Sequence, residues 1–428
     1  MRTAGGKEGQ ISNRRKAAKQ NPNKLSLESL GIGLLYLSVT LELLIVIVDK
    51  SNYTNPIEGQ LFRITFLLAA AKVLMTRYSR KEWIALILFG ILGLISYRAT
   101  GRNEILRIVA FVAACKGVEM EKVLKYVFYT TLGGCLLLIL LSVTGIYGEL
   151  ALEADFGRGY VQTRYCLGLG HPNALHCMFL MLVLLGLYLY SNRMRWYGYA
   201  ALAGLNYALF LLTDSKTGVM LTFCGILGAV LVHYVKGLEE RRWIYAAVFI
   251  LLIVCVGFSI LAADSRFARP EEYWFANPLI AEAETHLNGR IQDLYYGSVN
   301  REGTTATWSL FSGPENDYYF DMGFVRLFYW YGILPGTVYV LCNLWLIRQF
   351  YKTGNGMGLV MLAVLSVYTV VEAHIISVYI GRNYLLFLLG MYAGRWGCRG
   401  AEAGSLGQEY LWRSYRLIGK WSRNETDE

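Results

Sequence analysis

Between Ala263 and Met322 the chain carries sixty largely polar residues that include Arg266, Arg269, Arg290 and Arg301 and no lysine. A planar guanidinium grips phosphate or carboxylate through two parallel hydrogen bonds, whereas lysine supplies only a mobile point charge. The segment therefore suggests a site for an anionic, phosphate-bearing substrate. Three shorter constellations add to it. Arg158-Gly-Tyr-Val-Gln-Thr-Arg164 runs on into Gly170-His171-Pro172-Asn173, where glycines let a backbone approach a ligand closely. Ser215-Lys216-Thr217-Gly218 forms a tight turn holding a cation. Asn288-Gly289-Arg290 precedes Leu310-Phe311-Ser312-Gly313 and then Asp321-Met322-Gly323. Asp321 and His171 are the candidate general bases.

Each of these has a plain structural explanation. The arginines would pair with nearby acids such as Glu271, Glu272, Asp293 and Glu302. Asn173 is expected to cap the helix that follows it, and His171 is equally suited to a structural hydrogen bond. Lys216 would snorkel to the membrane edge. Asp321 would sit at a helix start, where the dipole favours a carboxylate without catalytic duty. Glu372 and His374 fall inside an apolar segment, where ionisable groups are costly and flag function, unless they satisfy one another.

The elements that must position these residues are membrane helices. The chain is 55% hydrophobic and 17% charged, and its apolar runs approach the roughly 20 residues that cross a bilayer. About twelve spans are expected, near 28–48, 61–76, 82–97, 103–115, 124–145, 174–192, 196–214, 217–236, 243–262, 323–348, 357–380 and 383–395. The fold class is thus all-α and polytopic, with one large outer loop (263–322) between spans nine and ten. The run Ile291–Ser298 has amphipathic character and is expected to lie along the interface as a helix. Residues 1–27 read as a disordered basic cytosolic tail, 28–395 as the transmembrane catalytic domain, and 396–428 as a cytosolic C-terminal tail. Trp83, Trp196 and Trp243 stand at run ends, where amphipathic rings favour the interface.

Charge sets the orientation. With both termini cytosolic, 27 of the 41 basic residues lie inside and 14 outside, as the positive-inside rule expects. The inside set is 15 Arg and 12 Lys, whereas the outside set is 12 Arg and 2 Lys, Lys50 and Lys216. The net charge of +10 is mostly this topology signal, and nucleic-acid binding is not implied. Only Cys166 of the eight cysteines falls clearly in an outer segment, which excludes an outer disulfide framework. The five histidines and the cysteines show no zinc spacing, and no Walker-type glycine loop is present. No metal or cofactor is expected.

In that order and topology, Gly170-His171-Pro172-Asn173 before a helix, Ser215-Lys216-Thr217-Gly218 after the next, Asn288-Gly289-Arg290 in a late outer loop and Asp321-Met322-Gly323-Phe324 with Tyr331-Gly332-Ile333 resemble the O-antigen polymerase and ligase superfamily. Within it the likeness is to Wzy-type polymerases of capsule and exopolysaccharide, over roughly residues 28–395. The resemblance implies a metal-independent GT-C-like glycosyltransferase that joins undecaprenyl-diphosphate-linked oligosaccharide repeats at the outer face of the bacterial cytoplasmic membrane. A flippase and a chain-length regulator would be its pathway partners, alongside membrane lipids. It also implies that Lys216 and Arg290 bind the lipid diphosphate, with Arg158, Arg164 and Asn173 as further substrate contacts. Lysine stands at 216 where the family carries arginine. The ligase branch carries His-Asn where this chain has Asp321-Met322, which favours the polymerase branch over a ligase. A transporter or lipid-oligosaccharide flippase is the competing class; Glu372 and His374 are its best support, and no internal halving of the chain is evident.

Overall fold

The computed structural model describes residues 27–156, 159–265, 267–269, 274–296 and 302–396. The expected tails, apart from Leu27 and Trp396, lie outside the described residues together with Arg158, Arg266, Arg301, Glu271 and Glu272. Helices dominate. α1 (Leu27–Lys50) packs on α2 (Glu58–Leu74) and α5 (Met120–Val143), and α3 (Arg80–Thr100) leans on α4 (Glu104–Ala114). α6 (Pro172–Tyr190) lies at the centre, touching α5, α7 (Trp196–Thr213), α8 (Lys216–Tyr234) and α14 (Gly356–Val371). α9 (Arg242–Asp264) packs on α14, on α12 (Gly323–Tyr331) and on α13 (Ile333–Thr353), and α15 (Tyr384–Trp396) closes against α4 and α13.

Six helices among the described residues are long and apolar enough to cross a membrane: Leu27–Lys50, Arg80–Thr100, Met120–Val143, Pro172–Arg193, Lys216–Tyr234 and Arg242–Asp264. Their outward faces carry residues such as Leu88, Leu136 and Ile250, each more than half exposed. A surface so apolar suits hydrocarbon and not water. This is a polytopic helical membrane architecture.

Two expected spans are not single helices. The segment 323–348 is interrupted at Gly332, whose φ of 97° and ψ of 169° are essentially open to glycine alone. A Cβ there would stand 2.6 Å from Phe311 Cα and 2.7 Å from the Leu310 carbonyl oxygen. The outer-loop strip Ser309–Ser312 fills this break: the Ile333 amide donates to the Ser309 carbonyl (2.8 Å) and the Leu334 amide to Leu310 (3.1 Å). The segment 357–380 stops being helical at Val371, and Glu372 is extended.

From Glu372 to Asn383 the backbone is irregular apart from one 3-10 turn, Ile380–Arg382. Irregular backbone is tolerated at membrane depth only where its polar groups find partners inside the protein. Here arginines supply them. Arg326 donates to the Ala373 and Ile376 carbonyls. Arg107 donates to Val378 (2.8 Å) while its other nitrogen pairs with Glu42 (2.7 Å). Arg382 binds Asp49, and the Tyr379 hydroxyl lies between Asp49 and Glu58 at 2.6 and 2.9 Å.

The large loop is partly ordered. It contains a short strand pair, β3 (Phe267–Arg269) with β4 (Trp274–Phe275), and α10 (Pro278–Leu287), started by Asn277 and Pro278. Of the expected interfacial helix Ile291–Ser298, the described residues 291–296 hold a single helical turn, α11 (Asp293–Tyr296), and 297–298 lie outside the described residues. Ile291 and Leu294 are fully buried against the bundle; the apolar face that suggested an interface meets protein. A second excursion, β1 (Ala151–Asp155) and β2 (Val161–Tyr165), forms an antiparallel hairpin pairing Ala151 with Tyr165 and Asp155 with Val161.

Candidate functional site

Arg290 owes its position to the turn before it. α10 ends with Asn288 at φ 55° and Gly289 at φ 88°, two residue types that tolerate the left-handed region. Glu284 then accepts the Ile291 and Gln292 amides, both at 3.0 Å, and so clamps the backbone immediately after Arg290. Burial nevertheless pushes the Glu284 carboxyl above the usual range, and the two amides only partly offset it. The guanidinium reaches Glu372 Oε1 through Nη2 at 2.6 Å and Asp321 Oδ2 through Nε at 3.5 Å. Its Nη1 donates to the Leu287 carbonyl at 3.1 Å. Asp293 lies within electrostatic reach of this group: burial raises its carboxyl, Asp321 adds to the rise and Arg290 opposes it.

Beside this triad the β hairpin brings a second arginine. Arg164 is buried on the inner face of β2 and pairs with Asp214 at 3.3 Å. Gln162 accepts from its Nε and Nη2 at 3.0 and 2.8 Å. Phe156 joins the parts. The Arg164 guanidinium stacks over its ring at 4.2 Å, the His171 ring meets it edge-on at 5.7 Å, and its carbonyl accepts from Asn288 at 3.4 Å. The hairpin, the start of α6 and the large loop therefore meet at one end of the bundle.

The helix cap lies two residues earlier than expected. His171, not Asn173, is the N-cap of α6: its Nδ1 accepts the Asn173 amide at 3.1 Å, and Pro172 takes the first helical position. A backbone amide donating to Nδ1 fixes the neutral tautomer with its proton on Nε2. That free edge of the ring donates a hydrogen bond and does not accept a proton, so of the two candidate bases the geometry favours Asp321. Burial pushes the imidazole below the ordinary histidine range, Arg164 and Lys50 push it further, and Asp321 works against them. These groups share one electrostatic neighbourhood.

Asn206 and Thr213 hold His176 at 3.0 Å each, and Gly218 packs against that ring. This fixes the first turn of α8, from which the exposed Lys216 projects two residues beyond Asp214. Glu372 and His374 do not satisfy one another; Glu372 turns to Arg290, and His374 is buried with its Nε2 unbonded.

Of the candidates read from the sequence, the structure brings together Arg290 and Asp321 in direct contact, with His171 and Arg164 beside them and Asn173 tied to His171. Lys216 is not in contact with them; it stands exposed at the start of α8, two residues beyond Asp214, the partner of Arg164. The two described outer arginines of the site already carry carboxylates. Phe156 and Glu284 are contributors that motif reading passed over, and Asp214, part of the turn that carries Lys216, pairs with Arg164 in a contact the motif does not reveal. The same signal that flagged Glu372, a charge inside an apolar stretch, also marks Arg326 in Phe-Val-Arg-Leu-Phe. Three of the twelve arginines assigned outside, Arg107, Arg326 and Arg382, hold the irregular segment 372–383.

Fold and site together define a polytopic helical membrane protein with a cluster of arginines and acids at one end of its bundle. No protein-family model, curated protein or solved structure matches the chain.

Proposed function

We propose that this protein is a membrane glycosyltransferase that polymerises undecaprenyl-diphosphate-linked oligosaccharide repeats into a surface polysaccharide at the outer face of the bacterial cytoplasmic membrane. The proposal includes the twelve-span topology, with the shorter helices completing the crossings and both termini cytosolic. One observation supports it above others: Arg290 faces two carboxylates, Asp321 and Glu372, in the same neighbourhood as Arg164 and His171. Glycosyl transfer from a lipid diphosphate needs cations for the leaving group and a carboxylate for the acceptor, and this cluster supplies both.

In this reading Arg290 and Lys216, with Arg158 or Arg164, hold the diphosphate. Asp321 takes the proton of the acceptor hydroxyl as its oxygen attacks the anomeric carbon. The bond from that carbon to the phosphate oxygen breaks, and the arginines stabilise the departing diphosphate electrostatically. Glu372 keeps Arg290 aimed before substrate arrives, and His171 donates from Nε2.

The test is chain growth in membranes supplied with lipid-linked repeats. Arg290→Ala, expressed and folded, is expected to leave single repeats unextended; polymer of unchanged length would refute the assignment.

A second reading, a transporter of the lipid-linked glycan, draws on the two interrupted helical segments at Gly332 and Val371, since discontinuous helices line the binding sites of many carriers. Purified protein in detergent separates the two. A polymerase lengthens the glycan there, whereas a transporter needs two compartments.

A further inference from the structure

The bundle has a large unfilled space away from the arginine cluster. A cleft of about 570 Å³ runs between α3, α4, α13 and α15, a volume typical of ligand-sized sites. Its walls are almost wholly apolar, including Leu86, Phe89, Ile108, Val112, Val338 and Trp345. It spans much of the bundle's depth, from Glu82 and Lys116 at one end to Glu104 and Tyr331 at the other.

Two features say what fills it. α3 is the least embedded of the long apolar helices, with 17% of its apolar window buried, and Ile84, Ile87, Leu88 and Ile91 turn outward. The cleft therefore opens beside the surface that faces hydrocarbon. Packed interiors leave few voids larger than a water molecule, and an apolar cavity stays dry. At that depth the available filler is a lipid chain.

Charge at one end selects the headgroup. Glu82 is committed to Lys116 (2.6 Å) and to the Ser79 amide (2.6 Å) in the capping box that starts α3. Arg77, Arg80 and Lys81 flank these residues and are exposed. Clustered Lys and Arg at the end of a membrane helix attract anionic lipid.

We propose that the cleft binds the acyl chains of an anionic glycerophospholipid, whose phosphate lies against Arg77, Arg80 and Lys81. The site is separate from the arginine–carboxylate cluster and does not depend on the function proposed above.

The experiment is native mass spectrometry of the protein recovered from nanodiscs of phosphatidylcholine and phosphatidylglycerol in equal parts. The wild type retains one phosphatidylglycerol in preference to phosphatidylcholine by about tenfold or more. Val112→Trp, which fills the cleft, reduces that retention by a similar factor. Leu86→Trp fills it from the opposite wall and serves if the first variant fails to fold. Arg80→Gln with Lys81→Gln still retains lipid but loses the preference. Equal retention of the two lipids by the wild type, or retention unchanged in a folded cleft-filling variant, overturns the proposal. So does a copurifying polyprenyl phosphate in place of the phospholipid.

Discussion

Arg290 sits where its charge is shared between Glu372 at 2.6 Å and Asp321 at 3.5 Å, and this sharing sets what substitution will do. Arg290→Lys keeps the charge but loses the fork that spans two carboxylates. Chain growth is expected to fall by an order of magnitude or more, roughly the cost of one well-placed charged hydrogen bond, with protein levels unchanged; a kinetic assay on lipid-linked repeats reads it. Glu284→Ala frees the two amides behind Arg290 and is expected to lower stability by about 1–3 kcal/mol, seen as a drop in thermal midpoint. His171 gives a pH signature. Its lowered imidazole is neutral in the folded protein, so the unfolded chain binds more protons once the pH falls below about 6.5. Stability is therefore lost on acidification through that window, and His171→Asn, which can still cap α6, is expected to reduce the loss between pH 7.5 and 5. Buried Glu284 and Asp293 act in the opposite sense, because raised carboxyls favour the native state as pH falls, and the mutant-minus-wild-type difference removes them. Arg290 and Arg164 were legible because guanidinium groups in an outer segment announce anion binding, and Asp321 because a carboxylate at a helix start stands out as a candidate base. Glu284 was not, since a glutamate in a polar loop shows its role only when the turn at Asn288 and Gly289 brings the chain back to it.

Among the elements, the helices legible from hydropathy are those whose apolar run is unbroken, such as α1, α5 and α9. The two failures share a cause. Gly332 and Glu372 each sit in a run of spanning length, and hydropathy does not register that Ser309–Ser312 slides into one break or that arginines from other helices support the other. Gly332→Ala puts a Cβ onto Phe311 and Leu310 and asks alanine to adopt a glycine-only conformation. A loss of about 1–3 kcal/mol from the backbone alone is expected, with the steric clash adding to it, and a denaturant or thermal melt in detergent measures it. Arg326→Leu strands the Ala373 and Ile376 carbonyls it now serves. Hydrogen exchange is expected to accelerate across 372–383 while the core of α6 stays protected.

At the scale of the whole molecule, the proposed topology puts the end that carries the hairpin, α10 and the Arg290 cluster at the outer face, on the positive-inside rule. Thr305→Cys, at a position 2.7 Å from Asp264, is expected to react with a membrane-impermeant thiol reagent in intact cells, and Lys236→Cys only after lysis. The reverse pattern would invert the topology and remove the outer-face chemistry with it. The membrane class was legible because composition reports what solvent the surface meets. The meeting of hairpin, α6 and large loop around Phe156 was not, because nothing in local spacing records contacts between residues 132 positions apart. Such long-range joining has a mechanical consequence in the stretch 372–383. It has almost no regular structure of its own and is moored by side chains from α1, α2, α4, α12, α13 and the turn after α10. Several ropes on one plank share the load unequally once one is cut. Paired deletions such as Arg107→Ala with Arg326→Ala should therefore depart from the sum of the single losses, by more than the roughly 0.5 kcal/mol seen between independent sites.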